Sequence, residues 1–474
     1  MGLLSWLLPN GKVSFHHAKK SAVLKRKLPA KDSGADGSKY ISIADLCKSA
    51  TPADCQLNPF LFNGHLQTAW TLMRTDDVPV YYKRWRFEGD SPDYRGSFEV
   101  DFVVEPYDVT KTSNSGKATG SENGTFESST QSADPEHPSP RTSFFTEEEF
   151  AALPSDDKKP MLVVLHGLSG GSHEPYLRNI VDPLHKQGWE VCVVNFRGCA
   201  NSKVTSSILY NARATWDVRQ MVRWLRKNFP SRPLFGIGFS LGANIMTNYV
   251  GEEGDDCQLK AAVICSNPWN LEVSSLALQR TWVGTQVYSR TMGASMKRLF
   301  EQHVDKLREH PRVNVERVRN STYLHEFDRE LQAPVWGYPT ETAYYRDASS
   351  IDSLFGVKIP LFAIQAEDDA ISSKEALPYL EMTKSPYAVM CTTSWGGHLS
   401  WFEYGGGRWL TKPVVNFLSK MASEIDLDAP VTLVEEPLDS EPVRITPSGK
   451  VDGPQPDFKP MRRKLHMPIA NGDE

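Results

Sequence analysis

Between Met161 and Thr393 the chain repeats one pattern: a short, almost wholly apolar run, a turn, then a stretch of helical character. The runs are Met161 to Gly167, Glu190 to Gly198, Pro233 to Ser240, Lys260 to Asn267, Pro360 to Glu367 and Tyr387 to Thr393. Apolar runs of this length that do not alternate with polar residues are what strands covered on both faces require. The intervening stretches have helical spacing, as where Val218, Met221, Val222 and Leu225 share one face. Strand and helix in alternation restrict such a chain to an α/β class, a doubly wound and mostly parallel sheet with helices on both sides. One interval breaks the rhythm. Residues 269–354 are helix-prone and aromatic with no clear strand, and are expected to form a helical cap inserted between two core strands.

The flanking sequence divides by composition. Residues 1–95 are expected to be an N-terminal segment packing on the core, and 96–425 the main domain. Within it, residues 108–159 are rich in Ser, Gly, Thr and acids; they lack the apolar side chains to order themselves and are expected to be a disordered insertion. Residues 426–474, with repeated prolines and the basic run "KPMRRK", are expected to be a disordered tail. Acids and bases are intermixed at a net charge of −5, which argues against a nucleic-acid partner. The seven cysteines are widely spaced with no CxxC, so no disulfide framework or metal site is expected, and a reducing compartment fits.

The opening "MGLLSWLLPNG" has no basic n-region and breaks at Pro9, unlike a signal peptide or a spanning helix. A cytoplasmic, non-secreted protein is expected. Gly2 is a poor myristoylation site, since Trp6 stands where that pattern wants Ser or Thr. Leu3, Leu4, Trp6, Leu7 and Leu8 suit peripheral contact with a membrane or lipid droplet.

In an open α/β sheet, active groups gather where strands end and helices begin. Gly238-Phe239-Ser240-Leu241-Gly242 lies at such a point. Small flanking residues allow a sharp strand-to-helix turn that lifts a serine hydroxyl above the sheet. Serine at a helix start also serves as an N-cap; the preceding strand and following helix favour a nucleophile. A serine nucleophile needs a base, and the base an orienting acid. Asp368 and Asp369 follow one late strand, and His398 sits in a glycine-rich turn after the next. Asp369 is the preferred acid, because that residue typically falls about three positions past the small residue ending the strand, here Ala366; Asp368 is left to cap the turn or meet solvent. The oxyanion of acyl transfer needs fixed donors, expected from the N–H groups of Leu241 and of Leu168 in "HGLSGGS".

The segments "LNPFLFNGHLQTAW", "HGLSGGSHEPYLR", "NFRGCANS", "GFSLGAN", "EFDRELQAPVWGYPTETAYYRDASS" and "GGHLSWFE" together resemble, in this order, the membrane-associated esterase/lipase subfamily of the α/β-hydrolases. That subfamily includes animal monoacylglycerol- and phospholipid-hydrolysing members and fungal medium-chain fatty-acid ethyl-ester synthase/esterases. The likeness runs from about residue 57 to 417, and Gly64-His65-Leu66-Gln67-Thr68 is its most specific part. It implies the α/β-hydrolase fold, with Ser240 as nucleophile, Asp369 as acid and His398 as base. The long insertion is a departure, as is the lack of a proline after the acid. His65 and Gln67 are assigned no catalytic role, only packing of the N-terminal segment.

The resulting expectation is a serine ester hydrolase acting without cofactor or metal on small-molecule acyl esters of medium or longer chain. The cap residues Trp282, Val287, Phe300 and Trp336 are candidates to meet the acyl chain. A second reading sends the same acyl-enzyme to an alcohol acceptor such as ethanol. A third is a catalytically inactive binding module, disfavoured because all three candidate residues and both glycine loops are present.

Overall fold

The computed structural model describes residues 10–27, 39–73, 78–107 and 141–435. The strands of its main sheet, in chain order, are β1 (Val13–His17), β2 (Tyr81–Glu88), β3 (Ser97–Val104), β4 (Thr142–Phe144), β5 (Met161–Leu165), β6 (Glu190–Asn195), β7 (Leu234–Phe239), β8 (Leu259–Cys265), β9 (Leu361–Ala366) and β10 (Ala388–Thr393). They lie in the order β1-β10-β9-β8-β7-β5-β6-β3-β2-β4. The block from β10 to β6 is parallel throughout, while β1, β3 and β2 pair antiparallel at its two flanks. All six residues of β7, β9 and β10 are buried, as parallel strands covered on both faces must be.

After α1 (Ile43–Ala50) and α2 (Gly64–Met73) near the N-terminus, the helices that cover the sheet carry the expected apolar stripes. Helix α3 (Pro175–Lys186) starts with proline at its first turn and buries Leu177, Ile180, Val181 and Leu184. Helix α4 (Thr215–Asn228) buries Val218, Met221, Val222 and Leu225. Helix α5 (Leu241–Glu253), which leaves the end of β7, is buried over its first ten residues, because it runs between the sheet and the cap. Residues 269–354 are helical, and two of their segments, Gly284–Ser289 and Asp328–Gln332, are wound as π-helix.

Three boundary expectations need correction. The segment before residue 96 does more than pack on the core: β1 forms one margin of the main sheet and β2 is paired inside the other. Both alternate apolar and polar residues, as in "YYKRWRFE", so a search for unbroken apolar runs passes over them. Residues 141–159 are ordered. Thr142–Phe144 pairs with β2, and the short helix Glu147–Ala151 has a Thr146/Glu149 capping box, with Phe150 stacked on Trp85 at 3.9 Å between centroids. The remainder of the expected insertion, 108–140, lies outside the described residues. In the tail, Thr432–Glu435 forms a strand against Lys20–Lys25; this short segment orders because its backbone completes a small three-stranded sheet. Residues 436–474 and the apolar Leu3 to Leu8 stretch lie outside the described residues. Among the described residues no helix is long and apolar enough to cross a membrane.

Candidate active site

Ser240 stands at the junction of β7 and α5 with φ 52° and ψ −118°, a backbone region that non-glycine residues avoid unless their surroundings impose it. Those surroundings are tight. A Cβ on Gly238 would overlap the Gly242 carbonyl, and one on Gly242 would overlap the carbonyls of His166 and Leu165. The two glycines thus let the helix start directly against the end of β5. Although Ser240 occupies the N-cap position, its side chain makes no capping hydrogen bond. It points to His398, with Oγ 2.8 Å from Nε2.

His398 Nδ1 lies 2.8 Å from Asp369 Oδ2 and 3.0 Å from Oδ1. A carboxylate accepts only, so Nδ1 carries the proton and Nε2 is left to accept from the Ser240 hydroxyl. Asp369 is itself fixed, since Oδ1 accepts the N–H groups of Ile371 and Ser372 at 2.8 Å each. The structure therefore brings together the three residues singled out from the sequence, all nine-tenths or more buried. Asp368 takes a different place: Oδ1 accepts the N–H groups of Gly396 and Gly397 at 2.9 and 3.0 Å. It braces the loop that carries His398. Burial raises its carboxyl above the ordinary range, against the opposing pull of those Gly397 and Gly396 donors.

Leu168 and Leu241 both border the cavity above Ser240, and the backbone N–H of neither makes a hydrogen bond among the described residues. The Leu168 loop is held from every side. Gly167 N–H donates to Tyr176 Oη at 2.9 Å and Ser169 N–H to Tyr210 Oη at 3.0 Å. His166 accepts the Phe196 N–H on Nε2 and donates from Nδ1 to the Gly167 carbonyl; burial lowers its pKa to about 3, so the ring is neutral. Farther along, Ser172 N–H donates to Asn195 Oδ1 and its hydroxyl to Asp101 Oδ2. Asp101 is fully buried, which disfavours its charge, yet paired bidentate contacts from the buried Arg84 guanidinium keep it ionised and hold its pKa below the usual range.

Gln67 and Thr68 do more than the packing expected of the N-terminal segment. They lie on helix α2 (Gly64–Met73). Thr68 Oγ1 accepts the His398 N–H at 2.9 Å, and Gln67 Oε1 accepts the Phe402 N–H at 2.8 Å. Both ends of the histidine loop are thereby fastened to the N-terminal segment. His65 Nδ1 pairs with Tyr288 Oη of the cap at 2.9 Å. The signal was present in the Gly64 to Thr68 motif, but acceptors for backbone N–H groups cannot be told from packing residues without coordinates.

The cavity above Ser240 encloses about 770 Å³, its solvent-filled mouth included, and Leu271, Leu278, Met292, Met296 and Leu324 from the cap contribute to its lining. The cap aromatics expected to meet a chain do not line it. Phe300 is wholly buried in the core; Trp336 packs tilted against Trp216 and Tyr94; Trp282 and Val287 face solvent. Flexible thioethers and leucines, together with Tyr210, Tyr344 and Tyr345, line the space instead, which suits an adaptable apolar ligand. A second cleft, bordered by His65, Tyr288, Asp369 and Ile371, opens beside the acid.

Residues 160–403 match a family model described as alpha/beta hydrolase fold. The chain is 35% identical over 406 residues to a monoacylglycerol lipase of Saccharomyces cerevisiae, covering 83% of this chain and 88% of the relative. It is 30% identical over 411 residues to the medium-chain fatty acid ethyl ester synthase/esterase 2 of the same yeast, covering 78% and 86%. To the phospholipase ABHD3 of Mus musculus it is 29% identical over 248 residues, covering 52% and 59%.

Proposed function

The chain belongs to the α/β-hydrolase fold family, and from that membership we propose a serine carboxylic-ester hydrolase whose acyl-enzyme forms on Ser240. The observation that carries this reading is the pair of 2.8 Å contacts from His398 to Ser240 Oγ and to Asp369 Oδ2, with Ser240 on the lining of a largely apolar cavity. Ser240 Oγ attacks the ester carbonyl while His398 Nε2 takes its proton, and Asp369 holds the imidazolium that results. The oxyanion is met by the Leu168 and Leu241 N–H groups. Collapse returns the proton from His398 to the departing alkoxide, leaving the acyl group on Ser240. Water, deprotonated by His398, then attacks the acyl-enzyme and frees Ser240 with release of the acid.

An alcohol entering in place of water would yield a new ester by the same steps. The likeness to a medium-chain fatty acid ethyl ester synthase/esterase of yeast favours that branch as a second reading. Medium or longer acyl esters are the proposed substrates, in keeping with the apolar cap lining. Purified protein incubated with p-nitrophenyl esters of graded chain length, with and without ethanol, tests the proposal. Release of p-nitrophenol with free acid supports hydrolysis, and ethyl ester formed at the expense of acid supports alcoholysis. No p-nitrophenol at any chain length would leave the fold as a binding module.

A further inference from the structure

The lining of the cavity is not apolar throughout. His325, Asp328 and Gln332, spaced three and four apart, contribute to its cap side, and the π-helical winding that begins at Asp328 widens the turn on which the last two sit. Asp328 is 6% exposed. One of its oxygens, Oδ2, accepts the Tyr345 hydroxyl at 2.6 Å; among the described residues its carboxyl makes no other side-chain hydrogen bond and no ion pair. Nearby, Nδ1 of His325 is buried without a hydrogen-bond partner. Two polar side chains thus border one cavity with hydrogen-bonding capacity unfilled, an arrangement that costs free energy unless something occupies it.

We propose that this side of the cavity is a hydroxyl-binding subsite, in which Asp328 and His325 recognise a hydroxyl group that the substrate carries beyond its reacting ester. The inference rests on the ester-hydrolase reading above. A hydroxyl suits the site because it donates and accepts at once, matching a carboxyl and an imidazole nitrogen together. Burial, opposed by the Tyr345 hydroxyl, raises the Asp328 pKa to about 7, so the group also exists as a neutral acid able to donate. The hydroxyl could sit on the alcohol part, as in a glyceryl ester, or on the acyl part, as in a hydroxylated chain; the recognition chemistry is the same.

The test compares matched esters with the whole 474-residue chain. One arm sets 1-decanoylglycerol against propyl decanoate; the other sets p-nitrophenyl 10-hydroxydecanoate against p-nitrophenyl decanoate. The expected result is a kcat/KM preference of about tenfold or more for the hydroxylated member in one arm, which identifies the source. That preference should fall in Asp328→Leu and be largely kept in Asp328→Asn, which retains an acceptor and a donor. Because each variant is read as a ratio within itself, partial loss of folded protein does not disturb the result. Hydrolysis of all four esters by wild type with no preference in either arm overturns the subsite and leaves the hydrolase reading standing. A preference that survives Asp328→Leu also overturns it. Hydrolysis of none of the four would instead sink the hydrolase reading.

Discussion

The backbone N–H of His398 donates to the hydroxyl of Thr68 at 2.9 Å, which ties the catalytic base proposed here to a helix at the opposite end of the sequence. The imidazole is thus aimed from two directions: Asp369 fixes the ring, and Thr68 fixes the backbone that carries it. Thr68→Val keeps the shape and removes the acceptor, leaving a buried N–H unpaired. We expect a stability loss of about 1–3 kcal/mol and, from a shifted ring, a fall in kcat of roughly 10- to 100-fold with KM little changed. Thr68→Ser should recover most of kcat. Rates normalised to the fraction labelled by a fluorophosphonate separate misplacement from unfolding; full activity in Thr68→Val would show the contact to be only structural.

Ser240→Ala should end labelling by a fluorophosphonate probe and lower turnover on the order of 10⁴-fold or more. The strained φ of 52° is imposed by the packing of Gly238 and Gly242 rather than by the hydroxyl, so the variant should unfold at nearly the wild-type temperature. Labelling that persists would place the nucleophile elsewhere.

The two adjacent aspartates should separate cleanly. Asp369→Asn keeps one oxygen, held by the Ile371 and Ser372 N–H groups, and turns an NH2 toward His398 Nδ1, which favours the wrong tautomer and should cost about 10⁴-fold in kcat. Asp368→Asn keeps an oxygen for the Gly396 and Gly397 N–H groups, so its loss should stay within about tenfold. Equal or reversed losses in the two variants would exchange their roles.

Ser240, Asp369 and His398 could be singled out from sequence because each follows a buried strand, where the side chain alone decides the chemistry. The supporting residues could not. Thr68 and Gln67 act through backbone N–H groups of a loop more than 300 residues away, and nothing in their local pattern marks that target. The same limit hid β1 and β2, whose alternating residues face the core on one side only, and sent the acyl-chain expectation to Phe300 and Trp336. Large aromatic residues in a helical insertion pack first against the core, as both do; leucines and methionines, with Tyr344, Tyr345 and a few polar side chains, border the cavity instead.

His166 gives a pH dependence whose sign can be fixed. Its folded pKa is depressed from 6.5 to about 3 by burial, so the unfolded chain takes up a proton as pH falls below about 6.5 while the folded protein does not. The stability that the neutral ring supplies is complete above that pH and is lost progressively down to about pH 3. His166→Gln removes the titration. The stability difference between wild type and His166→Gln, from urea melts, should therefore shrink on acidification by an amount on the order of a few kcal/mol. A constant or growing difference would mean that the ring is protonated in the fold.

Gly242→Ala sets two effects against each other. Alanine is favoured over glycine in a helix by up to about 1 kcal/mol, and α5 is buried around this position. The added Cβ, however, would overlap the backbone carbonyls of His166 and Leu165, which cannot turn aside as a side chain could. Overpacking of this kind costs about 1–3 kcal/mol or more, so the steric term should win and Tm should fall. The strain also acts between the two N–H groups proposed to bind the oxyanion, since Leu241 precedes Gly242 and Leu168 follows His166 by two residues. Separating them should slow fluorophosphonate labelling of Ser240 by roughly 10²-fold, beyond what the fall in Tm explains. A variant with raised Tm and an unchanged labelling rate would show that helix and strand have room to part, and that the glycine is not needed for the sharp turn.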